Sequence, residues 1–221
     1  MQNLKYKVNN LQISCDGGAA TGKSTGAKMI AKKYNLKFLS SGLLYRYAGY
    51  LILKFKPKNK ILFLTKKFNK LNYNQLNKIN LHKPEISDYS ANIAKINKVR
   101  QILKRYQVSF SKKYKNCCIE GRDISTKILP NSDIKFFFKC NLQTAALRRF
   151  KELKKKHPKI KMKDVKKALV SRDKKDRSRR FSPLQKHLHS IVIDSGNLNK
   201  QAMLKKMSKY VEKVLLKKYV N

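Results

Sequence analysis

Acidic residues are what this chain most lacks: twelve Asp and Glu stand against 54 Lys and Arg, for a formal net charge of +42. An imbalance of that size would ordinarily point to nucleic acid or an anionic surface. The excess, however, is spread along the whole chain. It is also nearly all lysine, since arginine supplies only ten of the 54 basic residues. With Asn and Ile abundant as well, a drift toward A/T-rich codons accounts for it, a reading that a neutral base composition in the encoding gene would refute. Non-specific RNA association at low salt follows from the charge in either case.

Long apolar runs are missing too. No stretch approaches the roughly 18 residues of a membrane span. Residues 1–10 contain no apolar core of a secretory signal, so a cytoplasmic location and no membrane partner are expected. The four cysteines, Cys15, Cys117, Cys118 and Cys140, include no C-x-x-C pair and lie in or beside predicted buried strands. They read as packing residues in a reducing compartment rather than as disulfides or zinc ligands. His187 and His189 have no third ligand in view, so a structural or solvent role is expected of them. What remains is 41% hydrophobic content over 221 residues, enough for one well-buried domain with an insert.

Glycine is scarce as well, and four of the eight glycines fall at positions 17, 18, 22 and 26. They mark the stretch Gly17-Gly18-Ala19-Ala20-Thr21-Gly22-Lys23-Ser24-Thr25, preceded by the apolar run Leu11 to Cys15. The spacing Gly, four residues, Gly-Lys-Ser is that of a phosphate-binding loop between a strand and a helix. Such a turn aims several backbone N–H groups at one point, and the helix N-terminus adds partial positive charge. Lys23 is placed to reach the β- and γ-phosphates of a nucleotide, and the Ser24 hydroxyl to ligate Mg²⁺.

The ten arginines carry information because lysine dominates elsewhere. A guanidinium offers phosphate a rigid bidentate fork that an ammonium cannot. They are Arg46, Arg100, Arg105, Arg122, Arg148, Arg149, Arg172, Arg177, Arg179 and Arg180. For Arg105 and Arg180 simple packing or pairing is the better expectation.

Along the chain, strands are predicted at 11–15, 36–39, 117–120, 134–138 and 190–194, with helices between them. That alternation argues for a parallel sheet with crossover helices. A helix begins near Leu43, with Ser41 as a possible cap and Arg46 one turn further on. Residues 51–83 show no clear period, and Ile61-Leu62-Phe63-Leu64 fits either a strand or a buried helical turn. One long helix is expected from about Ser87 to Lys112, bearing Arg100. Gly121-Arg122-Asp123 follows the third strand at its carboxyl end, where α/β sheets bind ligands. Asn141 caps a helix that stops before Pro158, and residues 157–163 read as basic, exposed and without apolar anchors. A helix from Asp164 to about Lys174 then leads into Arg172-Asp173-Lys174-Lys175-Asp176-Arg177-Ser178-Arg179-Arg180. A charge run is usually a solvated face. Here four of the ten arginines share nine residues with two acids that can hold them apart until a polyanion arrives.

Together these motifs resemble one family, the bacterial cytidylate kinases, which are nucleoside monophosphate kinases. The matching pieces are Asp16-Gly17 through Thr25, Ser41-Gly42 with Tyr45-Arg46, Val99-Arg100 and Glu120-Gly121-Arg122-Asp123. Further on come Arg172-Asp173, Asp176-Arg177, Arg179, Ser182-Pro183-Leu184 and Ile193-Asp194-Ser195. They stand in the family's order, and only residues 51–83 lie outside them.

The resemblance implies an α/β fold of the P-loop NTPase type, with a five-stranded parallel sheet flanked by helices. It implies a single domain over residues 1–221, with a monophosphate-binding insert at about 43–112 and a short lid at about 156–181. Gly17 to Thr25 would bind ATP, with Mg²⁺ on Ser24. Ser41, Arg46, Arg100, Arg122, Asp123, Arg172 and Asp176 would surround the acceptor. Of these, Arg46 and Arg100 would clamp its phosphate, Arg122 and Asp123 would read the pyrimidine, and Arg172 and Asp176 would approach from the lid. Lys23, Arg122, Arg177 and Arg179 would act on the transferred group. Departures from the pattern are Gly18 in place of a common proline, Ala20, Ala91 where serine is expected beside Ser90, Lys139 in place of an acid, and a shorter insert.

The expected reaction is transfer from ATP to CMP, and to dCMP, by a monomer with no specific nucleic-acid partner. Two alternatives remain at this point: a P-loop kinase for another small acceptor, and an RNA-binding ATPase. A nucleotide-binding protein without transfer activity is disfavoured by the second arginine cluster.

Overall fold

A computed structural model describes residues 9–155 and 157–219. Strand β1, Gln12–Gly17, is buried on both faces: Ile13 and Cys15 point one way, Ser14 and Asp16 the other, all without exposed surface. Burial of both faces marks a central strand of a parallel sheet. Strands β3 (Cys117–Gly121) and β4 (Ile134–Lys139) flank it, with β2 (Lys37–Ser40) beyond β3 and β5 (Ile191–Asp194) beyond β4. The order is β2-β3-β1-β4-β5, and the pairings of β1 with β3, β1 with β4 and β4 with β5 are all parallel. This is the α/β sheet of a P-loop fold. Register sets Cys15 opposite Glu120 and Asp16 opposite Gly121, so the carboxyl ends of β1 and β3 bring these two acids to one edge of the sheet.

The described chain divides into two compact units, residues 39–114 and the remainder. In the larger unit, α1 (Lys23–Lys33) and α8 (Lys200–Tyr219) cover the sheet, packing Ala27, Ile30, Met203, Met207 and Val211 against Leu11, Ile13, Phe136 and Phe138. A second cluster joins α6 (Leu142–Lys154) to α7 (Met162–Ser178) through Ala145, Ala146, Val165 and Leu169. The Asn141 side chain caps α6 by accepting the Thr144 N–H at 2.7 Å, as its position predicts.

Residues 39–114 hold α2 (Ser41–Phe55), α3 (Lys60–Asn69), a 3-10 turn at Tyr73–Lys78, α4 (Pro84–Ile93) and α5 (Asn97–Lys113). Several expectations need correcting here. Ser40 rather than Ser41 caps α2, accepting the Leu43 N–H at 3.4 Å. Ile61 to Leu64 is helical, because the Asn59 side chain caps α3 and Leu64 and Phe68 bury one face. The single helix expected over 87–112 is two, broken at Ala94–Ile96. The Arg100 guanidinium takes the Ala94 carbonyl at 3.1 Å, a role that a helical N–H would otherwise fill. In the larger unit, α7 starts at Met162 and runs through the arginine cluster to Ser178, longer than expected. Residues 157–163 are not without anchors either, since Ile160 and Met162 pack on the α6–α7 cluster. Among the described residues no helix is long and apolar enough to cross a membrane.

Candidate active site

The phosphate loop leaves β1 through a conformation that only glycine tolerates. Gly17 has φ 152°, and a Cβ there would run into the Phe138 carbonyl. Beyond it, Thr21 donates its hydroxyl to the Gly18 carbonyl at 3.1 Å, and Ser195 donates its own to the Thr21 carbonyl at 2.7 Å. Arg148 in turn donates to the Ser195 hydroxyl at 3.0 Å and to the Ser195 carbonyl. Ala20 sits at φ 56°, where a side-chain-bearing residue carries strain of order 1 kcal/mol. The first turn of α1 then leaves Ser24 exposed and buries Lys23.

Gly18 is where the loop meets α7. The Asp173 carboxylate accepts the Ala19 N–H at 3.0 Å, and a Cβ on Gly18 would lie 2.8 Å from its other oxygen. A proline ring at this position could not make room for that contact, which gives the Gly18 departure a physical reason. An acid thus holds one of the loop N–H groups.

The Lys23 ammonium pairs with Glu120 at 2.5 Å, both side chains buried. Burial pulls the Lys23 pKa down, and the Glu120 carboxylate works against that. Beside it, Asp16 is fully buried and accepts the N–H groups of Ile124 and Ser125 at 2.8 and 2.7 Å and the Ser125 hydroxyl at 2.6 Å. Those N–H groups open a short π-helical turn, Ile124–Ile128, immediately after Asp123. Asp16 therefore fixes the direction in which Gly121-Arg122-Asp123 leaves β3. Burial raises its pKa, with the Ser125 hydrogen bonds opposing.

Arg122 donates from Nε to Asp176 at 2.8 Å, and Arg179 donates to the other Asp176 oxygen at 3.3 Å. Arg179 also lies 4.0 Å from the Asp123 carboxylate. Burial disfavours the charged form of Asp176, but Arg122, then Arg172 and Arg179, hold its pKa below the usual carboxylate value. Burial likewise acts against the Arg122 charge, and Asp176 more than offsets it. The Leu184 N–H donates to the Asp176 carbonyl at 2.7 Å, tying Ser182-Pro183-Leu184 to α7. Arg177 points elsewhere: with Ala19, Thr21, Cys140, Leu169 and Asp173 it lines a cavity of about 650 Å³. The larger unit therefore brings together the loop, Lys23, Arg122, Asp123, Asp176 and Arg179, and sets Arg177 at the loop's other wall.

The smaller unit holds the remaining candidates. Ser41 is the buried first residue of α2. Arg46 shares a hydrogen bond of 3.2 Å with the His82 ring. The buried Arg100 guanidinium lies 5.5 Å from the Tyr45 ring centre. Ala91 is exposed, and the neighbouring Ser90 spends its hydroxyl on the Ser87 carbonyl at 2.7 Å, so it does not replace the missing serine.

Sequence reasoning passed over four residues as site members: Asp173, Glu120, Arg148 and Ser195. Arg148 carried the same signal as the chosen arginines, survival in a lysine-dominated chain. Asp173 and Glu120 stood inside quoted motifs but acquire meaning only from what faces them.

A family model for cytidylate kinase matches residues 13–213. The chain is 31% identical over 221 residues to the cytidylate kinase of Rickettsia bellii, covering 96% of this chain and 100% of that one. It is 33% identical over 217 residues to the cytidylate kinase of Clostridium tetani, covering 93% and 95%. Among solved structures, an uncharacterized protein from Eubacterium ventriosum superposes with a TM-score of 0.57 over 92% of this chain and 99% of its own, at 17% identity. That likeness bears on the fold alone.

Proposed function

The chain belongs to the cytidylate kinase family, and on that premise we propose that it transfers the γ-phosphoryl group of ATP to CMP, and to dCMP. The products are ADP and the nucleoside diphosphate. One observation carries the reading beyond family membership. A single turn of α7 puts Asp173 on the Ala19 N–H of the phosphate loop and Asp176 between Arg122 and Arg179. One helix thus spans a donor-phosphate cradle and a guanidinium cluster, the two anion-binding elements that phosphoryl transfer requires.

The chemistry asks for position and charge more than for covalent participation. The loop N–H groups and Lys23 bind the donor's β- and γ-phosphates. Lys23 leaves Glu120 as it does so, trading one carboxylate for phosphate oxygens. A phosphate oxygen of the acceptor attacks the γ-phosphorus while the β–γ bridging oxygen departs with ADP. The acceptor is already ionised, so no general base is needed. Arg177 and Arg179 carry charge toward the transferred group, and water is excluded as α7 settles over the loop.

The exposed Ser24 hydroxyl at the start of α1 suits a divalent cation, whereas both Asp16 oxygens are committed to Ile124 and Ser125. Mg²⁺ held by Ser24 would neutralise charge on the donor's phosphates. Assignment of Arg46 and Arg100 to the acceptor's phosphate, of Ser41 to its surroundings, of Arg122 and Asp123 to its pyrimidine, and of Arg172 and Asp176 to its sugar or phosphate follows the family resemblance.

A coupled ADP-release assay across CMP, dCMP, UMP, AMP and shikimate tests the reading. Turnover with CMP and dCMP far above the other acceptors is expected. Turnover with shikimate or AMP alone would overturn it.

A further inference from the structure

Residues 17–84 contain no Asp or Glu at all, while 54–70 alone contain seven lysines. Within that stretch the end of α2 and the start of α3 form an exposed corner. Phe55 is 49% exposed, Leu62 53% and Leu53 37%, an unusual concentration of apolar surface on a charged face. Phe55 and Phe63 lie with ring centres 5.6 Å apart, tilted by 51°. The Lys67 ammonium sits over both rings at 5.4 and 5.6 Å, and Lys54 sits over Phe55 at 5.4 Å and Tyr50 at 5.6 Å.

We propose that this corner binds single-stranded polynucleotide without sequence preference, bases stacking on Phe55 and Phe63 while lysines take the backbone phosphates. Aromatic faces on a positively charged surface are the elements such binding uses. Charge complementarity chooses the occupant. A second copy of this chain would bring its own lysines against these and be repelled. A lipid surface would need a continuous apolar face, but Lys54, Lys56, Lys58 and Lys60 interrupt the corner at every second position. Codon drift explains why lysine is abundant. It does not explain why an exposed Phe55 and a half-buried Phe63 lie side by side beneath two ammonium groups. The surface lies outside the residues assigned to phosphoryl transfer, so the two readings stand or fall separately.

The test is fluorescence anisotropy of the full chain with labelled 12-mers of oligouridylate, oligothymidylate and an abasic deoxyribose-phosphate strand of equal charge, over a range of salt. Binding of the base-bearing strands is expected to weaken steeply with salt, by counterion release. It should exceed binding of the abasic strand by about tenfold or more, the worth of stacking. Phe55→Ser should lose most of that preference while CMP kinase turnover and unfolding midpoint stay at wild-type values. Lys54→Gln with Lys67→Gln should reduce the salt slope without touching a buried side chain. Tighter binding of oligouridylate than oligothymidylate would make RNA the natural source, and equal binding would support either strand. Equal affinity for the abasic strand, wild-type binding by both variants, or binding only to phosphatidylglycerol vesicles would overturn the proposal.

Discussion

The Asp173 carboxylate accepts the Ala19 N–H at 3.0 Å, so that an acid on α7 occupies part of the loop to which we assign the donor's phosphates. An arriving phosphate must displace it. Replacing Asp173 by Ala should therefore raise affinity for a non-hydrolysable ATP analogue about two- to fivefold, the scale of a partly exposed charge-assisted contact. Calorimetric titration measures it. A fall in affinity would instead make Asp173 a support that orders the loop.

Lys23 pairs with Glu120 within the protein, and in the proposed reaction it exchanges that partner for phosphate. Lys23→Ala should lower turnover roughly a hundredfold or more, as loss of one preorganised donor does elsewhere. It also strands a buried carboxylate, at a cost of about 3–5 kcal/mol in stability. Adding Glu120→Gln should recover much of the unfolding midpoint and none of the turnover. Turnover near wild type in the folded double variant would remove Lys23 from the mechanism.

Asp123 lies at the end of β3, with its charge facing Arg179. If it reads the pyrimidine, Asp123→Ala should raise the KM for CMP at least tenfold more than the KM for ATP. Initial-rate kinetics with each substrate varied in turn decide the matter. Equal effects on both would make Asp123 a structural partner of Arg179.

Asp176 ties stability to pH. Arg122 and its neighbours overcome the effect of burial and hold the Asp176 pKa below 3.8. A depressed carboxylate pKa contributes stability that is present above the unfolded value and lost as pH falls through the folded one. The stability gap between wild type and Asp176→Asn should thus be level from pH 8 to pH 5 and close below about pH 4. Urea unfolding at each pH would reveal it. A gap unchanged at pH 3 would mean that the ion pair contributes nothing.

Much of this was legible without coordinates. The phosphate loop could be read because its spacing and glycines are local requirements, and the strands because apolar runs between turns have few other uses. The helix break at Ala94 could not be read. The Arg100 side chain reaches back six residues to the Ala94 carbonyl at the break, and no period records that. The start of α7 was missed for a similar reason, since Ile160 and Met162 count as anchors only once α6 lies against them.

The sequence by itself determined the spacing of a phosphate-binding loop, that the sheet is parallel, and which arginines deserve notice in a chain dominated by lysine. Those follow from spacing, from hydrophobic runs and from the difference between a guanidinium and an ammonium. The tertiary structure alone decided what each charge faces: Lys23 on Glu120, Asp16 on the turn after Asp123, Asp176 between Arg122 and Arg179, and Asp173 on the loop. Pairing acts through space over a few ångströms, and these partners lie between three and 154 residues apart in the chain.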